Sequence, residues 1–302
     1  MSRHVPVLAQ EVIDALQLRS NMNVVDCTLG DGGHTERMLK VIGPNGKVLG
    51  IDADPESILR AKKYLYGFGK RVLFARENFE HLKQIVEREH FVQVEGVLID
   101  LGWSSPQFEE RGRGFSFQKD EKLDMRYAAD STGPSAADIV NDESNEELER
   151  IFHEYGEEDL SSEIAHAIVD ARKEAPIETT TQLVNIILDS YRKKLKSTKE
   201  IPWVGGLHPA TKVFQSLRIA VNDELGVVER VLPQAIDVLE KGGRLAVITF
   251  HSLEDRIVKH YFKSKEHKTI ELVNKKPIEC GEEEYEQNTR ARSAKLRVVE
   301  KI

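Results

Sequence analysis

Cysteine is nearly absent. The 302 residues hold two, Cys27 and Cys280, far apart and in no C-x-x-C pair. This excludes a disulfide framework and a cysteine-built zinc site. The ten histidines form no H-E-x-x-H motif, so no metal is expected. No apolar run approaches the ~20 residues that cross a bilayer, so no membrane association is expected. The opening Met1-Ser2-Arg3-His4-Val5-Pro6 lacks both the apolar core of a signal peptide and the Arg/Ser-rich pattern of a transit peptide. A cytoplasmic location is the expectation. Internal repeats and low-complexity segments are absent too.

Basic charge is in deficit. Lys and Arg number 43 against 51 Asp and Glu, a net charge of −8. Such a sum disfavours phosphate contact, but distribution matters more. Asp138 to Asp159 holds ten acids against Arg150 alone, whereas Asn288 to Ile302 holds Arg290, Arg292, Lys295, Arg297 and Lys301 against Glu300. The chain is polarised, and an acidic stretch can mask a basic face elsewhere. Hydrophobic residues make up 40 %, enough for a sizeable core, and the length suits one or two domains.

The first hundred residues alternate strand and helix. Short apolar runs at Val24–Cys27, Lys47–Asp52, Arg71–Ala75 and Glu95–Leu101 read as parallel strands buried on both faces. Helical patterns precede and separate them at His4–Leu18, Thr35–Ile42, Pro55–Tyr66 and Glu80–Glu89. The order implies a doubly wound, Rossmann-like α/β sheet. After Leu101 the strands stop. Helical patterns follow at Ser135–Ile139, Asn145–Tyr155, Leu160–Arg172 and Thr181–Lys194. The α/β pattern then resumes with a long helix over Pro209–Leu239, a strand at Arg244–Phe250 and a helix at Leu253–Phe262. Lys268–Val273 and Ala294–Glu300 are expected to close the sheet as a hairpin. The expected organisation is an α/β domain over 1–107 and 207–302, interrupted by a helical insert over 108–206 for substrate recognition.

"VVDCTLGDGGHT", residues 24–35, joins the first strand to the next helix through a glycine-rich turn. Glycines let a ligand approach the backbone, and the helix start offers free N–H groups. A Walker A loop needs a terminal Gly-Lys-Ser/Thr, and this loop has no lysine. A dinucleotide loop needs G-x-G-x-x-G, and Thr35 stands at the third glycine. Asp26 at the strand end repels a pyrophosphate but suits the ammonium and sulfonium of S-adenosylmethionine. Asp52, 22 residues after Gly30, ends the second strand and can accept both ribose hydroxyls, a feature shared with NAD enzymes. Asp100 ends the fourth strand in "GVLIDLGWSSPQF" and falls on the same rim. Trp103 and Gln107 follow it and offer an adenine stacking and amide contacts. Phe79 suits the adenine as well as it suits the core.

These residues carry a resemblance. The chain resembles the ribosomal small-subunit RNA cytosine-N4 methyltransferases, the MraW family. Nearly the whole chain takes part: His4–Leu8, "DCTLGDGGHT", "IDADPE", "DLGWSSPQF", Arg113–Phe117, Leu123–Arg126, Tyr155–Glu158, His208–Leu225, Gly242–Lys259 and Asn288–Val298 stand in family order. The resemblance implies a class I methyltransferase with an inserted helical domain. It implies that Gly32, Gly33, His34, Asp52, Phe79, Asp100 and Gln107 bind S-adenosyl-L-methionine. It also implies a cytidine in the decoding centre of 16S rRNA as substrate, within the small ribosomal subunit. The chain departs from the family pattern at Asp31, where a basic residue is common, and at Tyr127-Ala128, where Met-Asp is usual.

Two residues are candidates for chemistry. Asp100 can organise cofactor and target amine together. His251 in "TFHSLED" is a possible proton acceptor, but it suits a hydrogen-bonded strand end better. Arg113, Arg126, Arg218, Arg290 and Arg292 are candidates for RNA contact, as is the basic run Arg192–Lys196. A monomer and a homodimer are both compatible with the chain. A small-molecule or protein methyltransferase, and a non-catalytic RNA-binding factor, are the rival readings.

Overall fold

The computed structural model describes residues 5–102, 112–128, 132–196 and 207–302. The chain divides into two compact units, Met1–Trp103 with Leu225–Ile302, and Ser104–Glu224.

The first unit is built on a seven-stranded sheet. Its strands are β1 (Asn23–Asp26), β2 (Lys47–Asp52), β3 (Val72–Arg76), β4 (Val94–Asp100), β5 (Leu239–Thr249), β6 (Ile270–Leu272) and β7 (Lys295–Lys301), in the order β3-β2-β1-β4-β5-β7-β6. β3 through β5 run parallel, and β7 runs antiparallel to both β5 and β6. This is the class I methyltransferase sheet. Successive residues point to opposite faces, because side chains alternate along a strand. Val24, Val48, Leu98 and Ala246 pack with α1 (Ala9–Ala15), α2 (Gly33–Val41) and α3 (Pro55–Tyr64). Val25, Leu49, Val97 and Leu245 pack on the other face with α4 (Leu82–Arg88) and with two later helices, Glu224–Val238 and Ser252–Lys265. Both faces are covered, so the strands read as continuous apolar runs.

Two expected helices differ. The first begins at Ala9 rather than His4, because Leu8 adopts a left-handed backbone (φ 52°) that admits no helical turn before it. The long helix expected over Pro209–Leu239 is broken at Asp223, also left-handed (φ 48°).

The second unit is helical, with α5 (Ala136–Asp142), α6 (Asn145–Gly156), α7 (Ser161–Ala171), α8 (Thr180–Leu195) and α9 (Thr211–Asn222). Ser135 and Thr179 close capping boxes with Asp138 and Gln182, which satisfy N–H groups at each helix start. Leu148, Phe152, Ile164, Ile168, Leu183, Val213 and Leu217 are fully buried. α9 packs on α6, so this unit extends to Glu224, past the expected boundary at 206. The remaining helices, α10 (Glu224–Val238), α11 (Ser252–Lys265) and α12 (Glu282–Gln287), follow in the chain.

Candidate active site

The carboxyl ends of β1, β2 and β4 form one rim, and each ends in aspartate. The glycine turn follows β1. Gly30 and Gly32 have φ of 51° and 78°, and a Cβ on Gly32 would come within 2.8 Å of Leu65 Cδ1. Only glycine fits Gly32, where the turn enters α2.

The three aspartates differ in their surroundings. Asp26 is 1 % exposed and turned inward. It accepts from the Thr35 hydroxyl (2.6 Å) and the Thr28 N–H (3.2 Å), so it braces the loop instead of facing a cofactor ammonium. Burial raises its pKa, and His34 offsets part of that effect.

Asp52 accepts from the Gly30 N–H (2.9 Å) through one oxygen and the Asp54 N–H (2.8 Å) through the other. Each oxygen keeps a second lone pair. Burial pushes this carboxyl up to about 7, against the pull of those two N–H donors.

Asp100 is tied through its backbone N–H to Thr28 Oγ1 (2.8 Å). Its Oδ2 lies 3.5 Å from His34 Nε2. Asp100 Oδ1 and His34 Nε2 are both buried without a hydrogen-bond partner among the described residues. Buried polar atoms need partners. Both atoms lie beside the glycine turn, where a polar ligand could complete their bonding.

Asp31 is answered by Arg60 of α3, which donates from Nε at 2.7 Å. Phe79 opens a short 3₁₀ turn, Phe79–His81, after β3 and packs half-buried against the core. Gln107 lies outside the described residues.

At the end of β5, His251 caps α11. Its Nδ1 accepts from the Glu254 N–H (3.5 Å), while Glu254 Oε2 accepts from the N–H groups of Phe250 (2.8 Å) and His251 (3.3 Å). This is the strand-end reading of His251. Phe250 packs on Gly102, where a Cβ would lie 2.9 Å from its ring. Arg290 holds its guanidinium 5.7 Å from the centre of the same ring.

A family model, the MraW methylase family, matches residues 1–302. The chain belongs to the MraW methylase family. This MraW methylase is 44 % identical to the ribosomal RNA small subunit methyltransferase H of Symbiobacterium thermophilum, over 99 % of this chain and 96 % of that one. It is 42 % identical to the protein of the same name from Clostridium botulinum, over 99 % of both. Among solved structures, an rRNA methylase from Streptococcus thermophilus matches with a TM-score of 0.45 at 12 % identity, over 100 % of this chain and 99 % of that one. The cofactor of this methylase is S-adenosyl-L-methionine. Its residues fit that group: an acidic rim without a phosphate-binding lysine, a glycine turn at the start of α2, and buried carboxylate and imidazole atoms beside it with no hydrogen-bond partner among the described residues.

Three of the arginines expected to contact RNA are committed inside the second unit. Arg113 donates to the carbonyls of Arg126 and Tyr127 (3.0 and 3.3 Å). Arg126 grips Asp124 (2.9 and 2.7 Å). Arg218 grips Glu224 (2.8 and 3.0 Å). Arg292 donates to the Tyr285 carbonyl and stacks on that ring. In the basic run, Arg192 pairs with Asp189 and Lys194 with Glu163. No helix of the described residues is long and apolar enough to cross a membrane.

Proposed function

We propose that this MraW methylase transfers a methyl group from S-adenosyl-L-methionine to the exocyclic N4 of a cytidine in the decoding centre of 16S rRNA, position 1402 in standard rRNA numbering. The observation that carries the reading is the 42–44 % identity, over 99 % of the chain, to proteins named ribosomal RNA small subunit methyltransferase H. The N4 position rests on the motif resemblance.

S-adenosyl-L-methionine supplies an electrophilic methyl group on a sulfonium. In this reading Gly32 and Gly33 admit it at the start of α2, Asp52 accepts its ribose hydroxyls, and Phe79 and Gln107 hold the adenine. His34 and Asp100 take the remaining polar contacts. The N4 lone pair of cytosine is delocalised into the ring, so the amine is a poor nucleophile. Holding it in line with the methyl group is the main source of rate. An acceptor for its hydrogens favours a more tetrahedral nitrogen. Asp100 Oδ1, without a hydrogen-bond partner among the described residues, is suited to that task. The nitrogen turns acidic as the bond forms, so no strong base is needed. The target base must be single-stranded or flipped out. The helical unit is the proposed substrate-recognition domain, the substrate is the small ribosomal subunit or its rRNA, the location is cytoplasmic, and the protein acts as a monomer or homodimer.

The test uses labelled cofactor with small subunits, or 16S rRNA, lacking the modification, followed by nucleoside mass spectrometry. N4-methylcytidine is expected. Label in ribosomal protein, or no label despite bound cofactor, overturns the reading.

A further inference from the structure

From Arg60 to Arg76 the chain carries Arg60, Lys62, Lys63, Lys70, Arg71 and Arg76 and not one acid, in a protein of net charge −8. Four aromatics, Tyr64, Tyr66, Phe68 and Phe74, are interleaved with them. The fold sorts these residues. Arg60 is turned to Asp31. Arg71 donates to the carbonyls of Gly46 (2.8 Å) and Leu39 (2.6 Å). Lys62, Lys63 and Lys70 remain exposed, and none has an acidic partner among the described residues. Lys62 lies over the Phe74 ring, 5.7 Å from its centre. Tyr66 is 87 % exposed and Tyr64 40 %. A ring that open adds almost nothing to the core. Around Gly67 and Gly69 there is open space where a Cβ would stand. An isolated exposed tyrosine is ordinary. Two tyrosines and three lysines without an acidic partner among the described residues, spread over the last turn of α3 and the 3₁₀ turn Tyr66–Arg71 that follows it, form a basic, aromatic surface.

We propose that Lys62, Lys63, Tyr66 and Lys70 dock a single-stranded segment of the RNA substrate, with the lysines on phosphates and Tyr66 stacked on a base. This rests on the rRNA reading above. Single strands are held by this combination of a cationic track and an aromatic platform. An acidic protein segment would answer the lysines but leave Tyr66 without a role. The position assigns the surface to docking rather than chemistry. The turn precedes β3, at the amino ends of the parallel strands, whereas the cofactor rim lies at their carboxyl ends. The five residues of β3 separate the two levels, about 17 Å of strand. A nucleotide held at Tyr66 is therefore not the one methylated, and the surface serves a substrate long enough to reach both.

The test compares the parent with K62A/K63A/K70A and with Y66A. All four side chains are exposed, so the fold is preserved. Methylation kinetics on small subunits lacking the modification are measured across a salt series. The subunit complex is also cross-linked by ultraviolet light and mapped by mass spectrometry. The triple variant is expected to raise KM at least tenfold and Y66A at least fivefold, with kcat and cofactor affinity within twofold of the parent. Removing three phosphate contacts should flatten the salt slope by roughly 2, at about 0.7 per single-strand contact. The peptide bearing Tyr66 should carry a nucleotide. Unchanged KM and salt slope in both variants, while the parent methylates its RNA, would overturn the proposal. So would attachment of Tyr66 to a ribosomal protein. A parent that methylates no RNA counts against the reaction instead, and the cross-link then decides the docking surface by itself.

Discussion

Arg60 reaches across from α3 to Asp31, Nε to Oδ1 at 2.7 Å, and so ties the glycine turn to the helix after β2. Asp31 thus has a partner within the same unit.

Reversing that charge should loosen the turn. Asp31→Arg sets two guanidiniums against each other at a pair that is 27 % and 14 % exposed. A loss of roughly 1–2 kcal/mol is expected, allowing for partial solvent screening. Cofactor affinity should fall with it. The swap D31R/R60D should recover only part of both, because position 60 also faces Glu56 (3.6 Å) and Asp54 (3.9 Å), and a thermal melt with a cofactor titration reads the cycle.

Cofactor binding should strengthen as pH rises through about 7, because burial holds Asp52 protonated up to that value and ribose hydroxyls donate best to the ionised form. Stability of the cofactor-free protein should move the other way. Between the ordinary 3.8 and about 7 the folded chain keeps a proton that the unfolded chain has lost, so stability falls as pH rises through that window. Asp52→Asn should remove the binding dependence and weaken the stability one, to which the buried Asp26 also contributes. Calorimetric titration and melts from pH 5 to pH 8 check this, and a flat binding profile in the parent would count against it.

Asp100→Ala should lower kcat by about a hundredfold or more, the size of a lost transition-state contact. A drop confined to cofactor affinity, with kcat intact at saturation, would show that Asp100 only binds. The two constants are separated by single-turnover kinetics.

His251→Asn should retain activity within a few fold, since asparagine also caps a helix. His251→Ala should cost about 1 kcal/mol of stability through the lost cap. If His251 accepts the proton instead, both variants lose turnover equally.

Glu224 is the shared acceptor of Arg218 and the Tyr127 hydroxyl (2.6 Å), in a pair 13 % and 9 % exposed. Glu224→Ala leaves a largely buried guanidinium without its carboxylate and should destabilise the helical unit by roughly 3 kcal/mol. Limited proteolysis of the full chain should then cut within 112–196 first.

The sheet was legible because its strands, covered on both faces, are written as short apolar runs with an aspartate at each relevant end. The breaks were less so. Leu8 and Asp223 turn left-handed inside patterns that look helical; only Asp223, in the pair Asn222-Asp223, is of a type that favours that conformation. The long-range pairs were invisible. Nothing near Asp31 points to Arg60, nor near Tyr127 to Glu224, 97 residues on. The partners of Arg113, Arg126 and Arg218, candidates for RNA contact in the sequence, are hidden for the same reason. Of the candidate site, the glycine turn, Asp52 and Asp100 follow from strand ends, and Gly32, Gly33 and His34 as ligands follow only from the family resemblance; the inward turn of Asp26 depends on its bond to the Thr35 hydroxyl, which a linear reading does not reveal.

Strand direction also decides where the last basic segment of the chain is delivered. β7 is reversed, so its first residue, Lys295, pairs with Thr249 at the finishing end of β5. The residues just upstream, Thr289–Ser293, therefore arrive at the carboxyl-end rim of the parallel strands, and Arg290 meets Phe250 there. Had the final strand run with its neighbours, that entry would sit at the amino ends of the strands, and the arginine would be a strand's length from the aspartate rim.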